Sequence, residues 1–458
     1  MKKFLLALLT FSTSYYSFSQ CIENKIALRQ LKEIQLFTKE DSIDQKSSQC
    51  IWKEILIGGN FSFSEGKHQL LYSGLIDKVH IDYNTTEGFK YGMEFTYSYY
   101  KENGKHYRIN YDIDYAFGRK RMTHDIGIKY RYNGIKRGCL YLAGGRITSD
   151  IEGSTGIPRN LNMVTTLFLE EDYLKVYQKD YIEIAHRIDI ANGLDFLIDF
   201  EYAQRKKIMD YSDFYNYISL DDEFSSNSTS LETVENSPIG DHNASITEFR
   251  IRYTPKYYYT IEKGAKIYSH SNYPTFALHY YKGIKGLFNS KVDFDRIEAS
   301  ISQNKSLKKL GNLHYEFLGG SFLNNNKVYF PDYKRFGTNR PLVMGTSHGN
   351  IFRLIDYSEY STYKDYFETH IKLSNDRILL KRLPFLSKTL ITENLYFSTL
   401  HTTESKPYYE IGYGLNKIFK VFNLEVFTGF KGKSYENIGV KLCVPFIDMK
   451  GITITDDM

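Results

Sequence analysis

The residues that could do chemistry are scattered along this 458-residue chain rather than grouped. Two combinations, Ser347 with His348 and His370 with Ser358, could supply a nucleophile and a general base for hydrolysis. Such a pair also needs a third group that orients the base, and closeness in sequence does not bring the three together. Pairs of this kind arise by chance among 12 histidines and many serines. We therefore expect no catalytic site and no enzymatic activity.

Motifs for metals and cofactors are also missing from the sequence. The chain has no HExxH motif, no closely spaced pair among its 4 cysteines and no dense group of carboxylates and histidines. It also has no glycine-rich phosphate loop and no dinucleotide-binding fingerprint. We expect neither a metal nor a cofactor.

Composition and charge exclude several classes of protein. The mean hydropathy of −0.43 excludes a bundle of membrane helices. A charged fraction of 25% beside 41 Tyr and 31 Phe is not that of a disordered chain. The net charge of +5 is mild, and no basic stripe is present, so nucleic acid is not an expected partner.

The first 20 residues have the pattern of a secretory signal peptide. Two lysines precede an apolar run at residues 4–9, which is far shorter than the roughly 20 residues of a spanning helix. Cleavage near Gln20 would leave Cys21 at the start of the mature chain. A lipidated Cys21 is the alternative, although Gln20 is a poor residue for the preceding position. Pairing of Cys21 with Cys50 in an oxidising compartment stays open.

From about residue 58 the hydrophobic pattern has a period of two. Because successive side chains of a strand point to opposite sides, this pattern predicts strands with one apolar and one strongly polar face. The segments suit tilted strands that cross a bilayer, and their number between Phe89 and Phe446 is roughly 16. The apolar positions include Tyr91, Met93, Phe95, Tyr97 and Tyr99; Tyr107, Ile109, Tyr111, Ile113 and Tyr115; Leu194, Phe196, Ile198, Phe200 and Tyr202; and Ile438, Val440, Leu442, Val444 and Phe446.

The pattern divides the mature chain into three parts. Residues 21–57 are charged and helical or irregular, and we interpret them as a short periplasmic lead-in. Residues 58–446 form the predicted β-barrel, and residues 447–458 form a C-terminal tail.

Several interruptions of the pattern predict loops and turns. The long acidic segment 207–245 predicts a loop outside the membrane, and 324–350 predicts a folded loop. The stretch 160–177 fits either a pair of strands or a short helix. Turn signals lie at Glu102–Gly104, Asn133–Gly134, Asn192–Gly193 and Asn416–Lys417.

A large soluble β-sandwich or solenoid with the apolar faces as its core would give a similar alternation. Three features favour a barrel instead. The polar faces mix both charge signs with small residues, as a wet lumen would, and Tyr is abundant on the other face and at strand ends. No domain boundary interrupts residues 58–446, which is long for one sandwich core. We predict an all-β transmembrane antiparallel barrel in the cell outer membrane, with its lipid as a partner.

Long, ordered motifs lie along most of this chain. They are Thr86–Phe89, Ala191–Leu194, Glu201–Arg205, Pro274–Phe276, Tyr281–Gly283, Val292–Asp295, Gly319–Asn325, Asp356–His370, Leu379–Lys388, Glu393–Tyr396, Tyr408–Lys420 and Leu424–Phe427. Together they resemble an uncharacterised outer-membrane barrel family of Bacteroidota-type bacteria that usually follows a carboxypeptidase-regulatory-like domain. The similarity extends from about Glu33 to Phe446.

This resemblance implies a barrel distantly similar to the surface-antigen barrels of protein-assembly and translocation factors, and it supplies no known substrate. The chain departs from the family in two respects. We expect no regulatory-like sandwich between the signal peptide and the first strands. Phe446 is followed by a tail, whereas barrels of this kind usually end in an aromatic residue.

The resemblance also implies a loop that folds into the lumen and fixes an arginine against acidic wall residues. We expect Arg335 to do this, with Phe336–Gly337 forming a tight turn and Arg340 nearby. The alternative is an ordinary surface loop with scattered charge. The candidate partners of the arginine are Asp112, Asp114, Glu368 and Glu410.

The predicted function is passage or assembly of an unknown protein or small-molecule cargo across the outer membrane. A second hypothesis is a structural or adhesion barrel that binds through the acidic loop 207–245. A third is a barrel hydrolase that acts on lipid.

Overall fold

The computed structural model describes residues 54–76, 81–101, 104–151, 157–169, 171–208, 227, 240–339, 341–344, 350–355, 357–384, 388–419 and 422–443. The chain divides into two compact units, residues 1–56 and 57–458, and every element named below belongs to the second. Several predicted features lie outside the described residues: the signal peptide, Cys21, Cys50, most of the lead-in and of the acidic loop, Ser347, His348, Arg340 and the tail.

The described part of the second unit is built almost entirely from strands. The two α-helices are α1 (Arg159–Leu169) and α2 (Tyr357–Tyr360), and within the described ranges no helix is long and apolar enough to cross a bilayer. The strands are β1 (Gly59–Phe63), β2 (His68–Tyr72), β3 (Ile81–Asn84), β4 (Gly88–Tyr100), β5 (His106–Ala116), β6 (Arg121–Asn133), β7 (Gly138–Asp150), β8 (Val176–Ala191), β9 (Leu194–Lys207), β10 (His242–Tyr253), β11 (Tyr259–Glu262), β12 (Ala265–Tyr268), β13 (Thr275–Gly283), β14 (Asp293–Ser306), β15 (Asn312–Lys327), β16 (Val343–Met344), β17 (Tyr366–Asn375), β18 (Thr392–Thr402), β19 (Tyr408–Ile418), β20 (Phe422–Lys431) and β21 (Ser434–Cys443).

The long strands form one antiparallel meander in chain order. Each strand from β4 to β21 pairs with the next, except that β11 and β12 form a separate hairpin and β16 has only two residues. β2 and β3 pair with successive parts of the same edge of β4, so together they act as one interrupted strand. Counted in this way the meander has 16 strands, and β1 adds a short strand to β2. The prediction of roughly 16 strands is confirmed.

The sheet exposes its apolar face and buries its polar face, which is the reverse of the arrangement in a soluble protein. Leu142 of β7 and Ile184 of β8 are directly opposite each other and are 45% and 52% exposed. Arg187 and Asp195, on the opposite face of the same region, are buried and form an ion pair at 3.4 Å. The apolar face is therefore the outer surface, and the sandwich alternative, in which it forms the core, is wrong. The chain forms a transmembrane β-barrel with a polar interior.

The two ends of the barrel differ in their connections. The connections 101–105, 134–137, 192–193, 254–274, 307–311, 376–391 and 419–421 lie at one end, which we call the turn end. At the opposite loop end lie 85–87, 117–120, 151–175, 208–241, 284–292, 328–365, 403–407 and 432–433. The three longest connections are all at the loop end, and β21 runs from the loop end to the turn end.

Two of the predicted turns have the backbone conformation that their glycines permit. Gly104 and Gly193 have φ angles of +70° and +73°, in the left-handed region that favours glycine. Asn192–Gly193 forms the two-residue connection of the β8–β9 hairpin, as the sequence predicts.

Other boundaries differ from the prediction because strands continue through polar residues. Asn324–Lys327 belong to β15 rather than to a loop, and Asn416–Lys417 lie in β19, where the pairing with β20 shifts register. The acidic connection is 208–241, since Lys207 ends β9 and residues 242–245 begin β10. In the ambiguous stretch 160–177, the helix is present as α1, and β8 starts at Val176.

Candidate functional site

The candidate site is the connection between β15 and β17, residues 328–365, which we call the lumen loop. It leaves and rejoins the sheet at the loop end, yet its β16 pairs with Leu442–Cys443 at the turn end of β21. The lumen loop therefore spans the barrel from one end to the other. Its two limbs are hydrogen-bonded to each other, because Phe352 N donates to Gly337 O at 2.8 Å and Asn339 N donates to Phe352 O at 3.0 Å.

The first anchor of the lumen loop is an ion pair near the loop end. Arg205 of β9 donates through Nη1 to Asp332 Oδ1 at 2.6 Å, and both side chains are buried. Arg205 also lies 3.7 Å from Glu201, which Lys179 of β8 contacts at 2.8 Å. Asp332 is positioned by the 3₁₀ turn Phe330–Asp332. A loop carboxylate is thereby held by one arginine of the barrel wall.

The second anchor joins the lumen loop to two wall strands. Lys334 Nζ lies 3.1 Å from Glu298 of β14 and 3.7 Å from Glu368 of β17. Arg296 shares Glu298 at 3.0 Å. The Lys334 ammonium also lies 5.3 Å from the ring centre of Tyr366, within range of a cation–π interaction.

The third anchor is a buried arginine with two carboxylates. Arg353 is 1% exposed, and its Nε lies 3.4 Å from Glu425 of β20, which is fully buried. The main-chain N–H of Arg353 donates to Glu410 of β19 at 2.8 Å. Tyr408 and Tyr396 donate to Glu410 and Glu425 at 3.1 and 2.7 Å. Burial of these charges is tolerable because each is paired and hydrogen-bonded.

Aromatic packing surrounds these charges. Phe336 and Phe352 of the lumen loop are buried, and Phe336 packs edge-on against Tyr366 with ring centres 5.7 Å apart. Phe352 contacts the rings of His370 and Tyr408 at 4.7 and 6.0 Å. The lumen loop thus has a small core of its own inside a polar barrel, and this core fixes its path.

The structure places the sequence-predicted residues differently from the prediction. Arg335 donates to the main-chain carbonyls of Phe330, Pro331 and Tyr333, and its guanidinium lies 4.6 Å from the Phe330 ring. It therefore braces the turn of its own loop. Phe336–Gly337 is not a tight turn, because the chain there runs extended between isolated bridges at Lys334 and Thr338.

The four predicted partners of Arg335 make other described contacts. Glu410 binds Arg353, Glu368 lies near Lys334, and Asp114 pairs with Lys90 at 3.0 Å. Asp112 is directly opposite Asp125 in the sheet. An arginine fixed against acidic wall residues is present, but it is Arg353, and pairing of Arg335 with these carboxylates stays a prediction.

Sequence reasoning missed Arg353, Asp332 and Lys334. A usable signal was present in the strands, because Glu410 and Glu425 occupy polar-face positions of β19 and β20. A carboxylate in a buried position needs a cationic partner, and Arg353 lies in the connection that must fill the lumen.

One serine, one histidine and one glutamate form a hydrogen-bonded series. His370 Nδ1 lies 2.9 Å from Ser398 Oγ, and His370 Nε2 lies 3.3 Å from Glu368. Sequence reasoning considered Ser358 beside His370 and set that pair aside, and in the structure Ser398 is directly opposite His370 on β18. All three residues are buried, and the Phe352 ring covers the imidazole.

A separate polar cluster fixes α1 at the loop end. Arg159 lies 2.8 Å from Asp82 of β3 and 3.4 Å from Glu87 in the β3–β4 turn, and Thr148 donates to Glu87 at 2.6 Å. Burial alone would raise the pKa of Glu87, but Lys90, Arg159 and these hydrogen bonds outweigh it and lower the pKa. The cluster connects α1 to the first strands of the barrel.

A cavity of about 320 Å³ lies between the lumen loop and the wall. Its polar lining includes Arg296, Glu298, Asp332, Lys334 and Arg335, most of which belong to the first two anchors. Among the described residues, no group of His, Cys, Asp and Glu side chains could hold a metal ion.

Comparison with protein families gives one match, over residues 53–415, to a family of unknown function described as the DUF5686 C-terminal domain. The chain belongs to this family. Its matched region extends from just before β1 into β19 and so includes the whole lumen loop. No curated protein matches the chain.

Solved structures similar to this family member include three bacterial proteins. BamA from Haemophilus ducreyi lacking POTRA domains 1–3 is 9% identical, with a TM-score of 0.41 over 86% of this chain and 76% of that chain. CdiB from Acinetobacter baumannii is 10% identical, with a TM-score of 0.34 over 79% and 57%. A triple mutant of the Rhodopseudomonas blastica porin is 9% identical, with a TM-score of 0.31 over 77% and 89%.

Proposed function

We propose that this protein is an outer-membrane barrel that mediates passage or assembly of a protein or small-molecule cargo across that membrane, without catalysing a reaction. The observation that carries the proposal is the lumen loop, which lies inside the barrel and is held to its wall by three ionic anchors, aromatic contacts and the short β16–β21 pairing. Ion pairs such as Arg353 with Glu425 can exchange for water when the loop moves. A closed but releasable lumen is what a gated passage requires.

The orientation of the barrel follows from its connections. Outer-membrane barrels have short periplasmic turns and longer extracellular loops. On this basis the loop end, with connections 151–175, 208–241 and 328–365, faces the cell exterior. The turn end, where β21 finishes, faces the periplasm.

Absence of catalysis is part of the proposal. The hydrogen-bonded group of Ser398, His370 and Glu368 is the arrangement closest to a hydrolytic site in the described part of the chain. Its members are buried beneath Phe352, and a general base must reach the proton that it abstracts. We assign this group to anchoring β17 and β18 around the lumen loop.

Two experiments test the proposal. The first is membrane fractionation followed by electrophoresis of unheated and boiled samples. We expect a band in the outer membrane whose mobility changes on boiling, because a closed barrel resists detergent until heated. A soluble protein with the same mobility in both samples would overturn the proposal.

The second experiment depletes the protein and compares the outer-membrane and secreted proteomes, together with uptake of small solutes. We expect a defined set of proteins or solutes to fail to cross or insert. Unchanged proteomes and uptake would refute passage and assembly. If only binding of cells to a surface were lost, and binding also disappeared on deletion of residues 209–239, the adhesion hypothesis would replace the proposal.

A further inference from the structure

The last strand of the barrel has an edge that does not pair with another long strand within the described residues. β21 pairs along one edge with β20, and the described pairing of β1, β2 and β3 does not include β21. The other edge is met at its turn end by β16, which runs parallel to Leu442–Cys443. The tip of the lumen loop is therefore added to the barrel wall as a short strand.

The contacts of this tip are specific. Leu442 N donates to Leu342 O at 2.8 Å, and the buried Lys441 ammonium donates to Pro341 O at 3.0 Å. Val343 is opposite Leu442, and Met344 is opposite Cys443. Main-chain and side-chain donors of β21 thus hold residues 341–344, which we call the strap.

An open strand edge is a template for another chain, and inside a membrane its polar groups need partners. The strap satisfies part of that need from within the molecule. It also belongs to the same connection as the third anchor, since Arg353 follows Met344 by nine positions in the chain. Edge and lumen are therefore connected through one segment.

We propose that the strap is a closing device, so that release of the lumen loop and exposure of the β21 edge are a single event. The closed state is stabilised by the Arg353 anchor and by the main-chain pairing of β16. In the open state the lumen is cleared and the turn end of β21 can accept a different strand. The role of this device in passage or assembly rests on the proposed function. Its geometry rests on the β16–β21 register and on the Arg353 anchor.

A disulfide tests the position of the strap. The native Cys443 lies opposite Met344, and neighbouring positions of paired strands fall within the Cα separation that a disulfide permits. We would introduce Met344→Cys in a background with Cys21, Cys50 and Cys139 replaced by Ser, in the full-length protein within outer membranes. Mild oxidation should yield the 344–443 disulfide, detected by mass spectrometry of non-reduced peptides.

Thr338→Cys in the same background is the matched control, because Thr338 is bridged to Phe352 rather than to β21. We expect cross-linking from position 344 to be at least about tenfold faster than from position 338, which corresponds to about 1.4 kcal/mol. Equal rates in a protein that still shifts on boiling would overturn the strap while leaving the barrel intact.

Coupling between edge and lumen is tested by adding Arg353→Met to the Met344→Cys protein. Before oxidation, we expect alkylation of the buried Cys443 by a water-soluble maleimide to be at least about tenfold faster, since its rate follows the open population, which rises when the anchor is lost. Arg159→Met, which breaks the separate α1 cluster, should leave the rate within about twofold. An unchanged rate in the Arg353 variant would refute coupling. Failure of the proposed function would instead appear as unchanged uptake and proteomes in depleted cells, whatever the cross-linking and alkylation rates.

Discussion

Replacement of Arg353 by Met is the most informative perturbation of this molecule. The change leaves Glu425 fully buried without its cation, although Tyr396 still donates to it at 2.7 Å. Glu410 loses less stabilisation than Glu425 does, because its hydrogen-bond donors include Tyr408 and the main-chain N–H groups of residues 353 and 354. Removal of one member of a buried pair costs about 3–5 kcal/mol. Because the remaining hydrogen bonds offset part of this cost, we expect the closed lumen loop to be destabilised by about 2–4 kcal/mol relative to its open state. The pairing between the barrel strands should be unaffected.

Such a destabilisation raises the open population of the lumen loop by about two orders of magnitude. Hydrogen exchange of residues 350–355 and ion conductance in planar bilayers should both increase, whereas the temperature at which the barrel unfolds should change little. Lys364→Met is the matched control, because Lys364 and Glu404 form a half-exposed pair at 2.9 Å in the same region. Solvent screens that pair, so it contributes little to stability. Equal effects of the two substitutions, or collapse of the whole barrel in the Arg353 variant, would refute the anchor.

Rescue separates loss of charge balance from loss of packing. Arg353→Met combined with Glu425→Gln removes the uncompensated carboxylate, so exchange and conductance should return most of the way to the values of the unmodified protein. Arg353→Lys keeps the charge but not the planar guanidinium, and we expect an intermediate effect. If exchange and conductance are higher in the double variant than in Arg353→Met alone, then the burial of Glu425 does not depend on Arg353.

Three further predictions concern other parts of the molecule. Ile184→Arg on the outward face should lower the free energy of unfolding of the barrel in lipid by about 2–4 kcal/mol, as measured by urea titration in vesicles. Glu183→Gln, at the neighbouring inward position, should have a smaller effect. Equal effects of the two substitutions would contradict the assignment of faces. Ser398→Ala should leave any lipid hydrolysis by purified membranes unchanged, and its disappearance would revive a hydrolytic role. Because the pKa of Glu87 is lowered in the folded protein, its stabilising contribution is present above the ordinary pKa of a glutamate and is lost as the pH falls through the lower folded value. The protection of α1 amides against hydrogen exchange should therefore decrease at acidic pH, and Glu87→Gln should show the reduced protection already at neutral pH.

The wall of this barrel was predictable because one physical rule acts along every strand. A side-chain period of two with Tyr91, Phe95 and Tyr99 on one face and Glu94 on the other specifies strand type and face without knowledge of any partner. What the rule does not specify is where a strand stops when its last residues are polar. Asn324–Lys327 have the composition of a loop, yet they belong to β15, because pairing with β14 continues to Lys327.

The interior was harder to predict because its contacts join residues far apart in sequence. Asp332 meets Arg205 across 127 positions, and Arg353 meets Glu425 across 72. Composition gives the number of such charges but not their pairing. Arg335 was a reasonable choice by position, but its guanidinium donates to carbonyls of its own turn, whose geometry only the folded loop defines.

The choice of charged rather than purely apolar anchors has a consequence for how the lumen loop can move. A hydrophobic plug would keep its driving force until the whole surface had separated, whereas each ion pair here can be replaced by water as it opens. The wall carboxylates Glu298, Glu410 and Glu425 regain hydration once the lumen fills, which lowers the free energy of the open state. The aromatic contacts of Phe336 and Phe352 then remain as the main resistance to opening. Phe352→Ala should therefore open the loop even with all three ionic anchors intact, and conductance that stays at the level of the unmodified protein would show that the charges alone hold it closed.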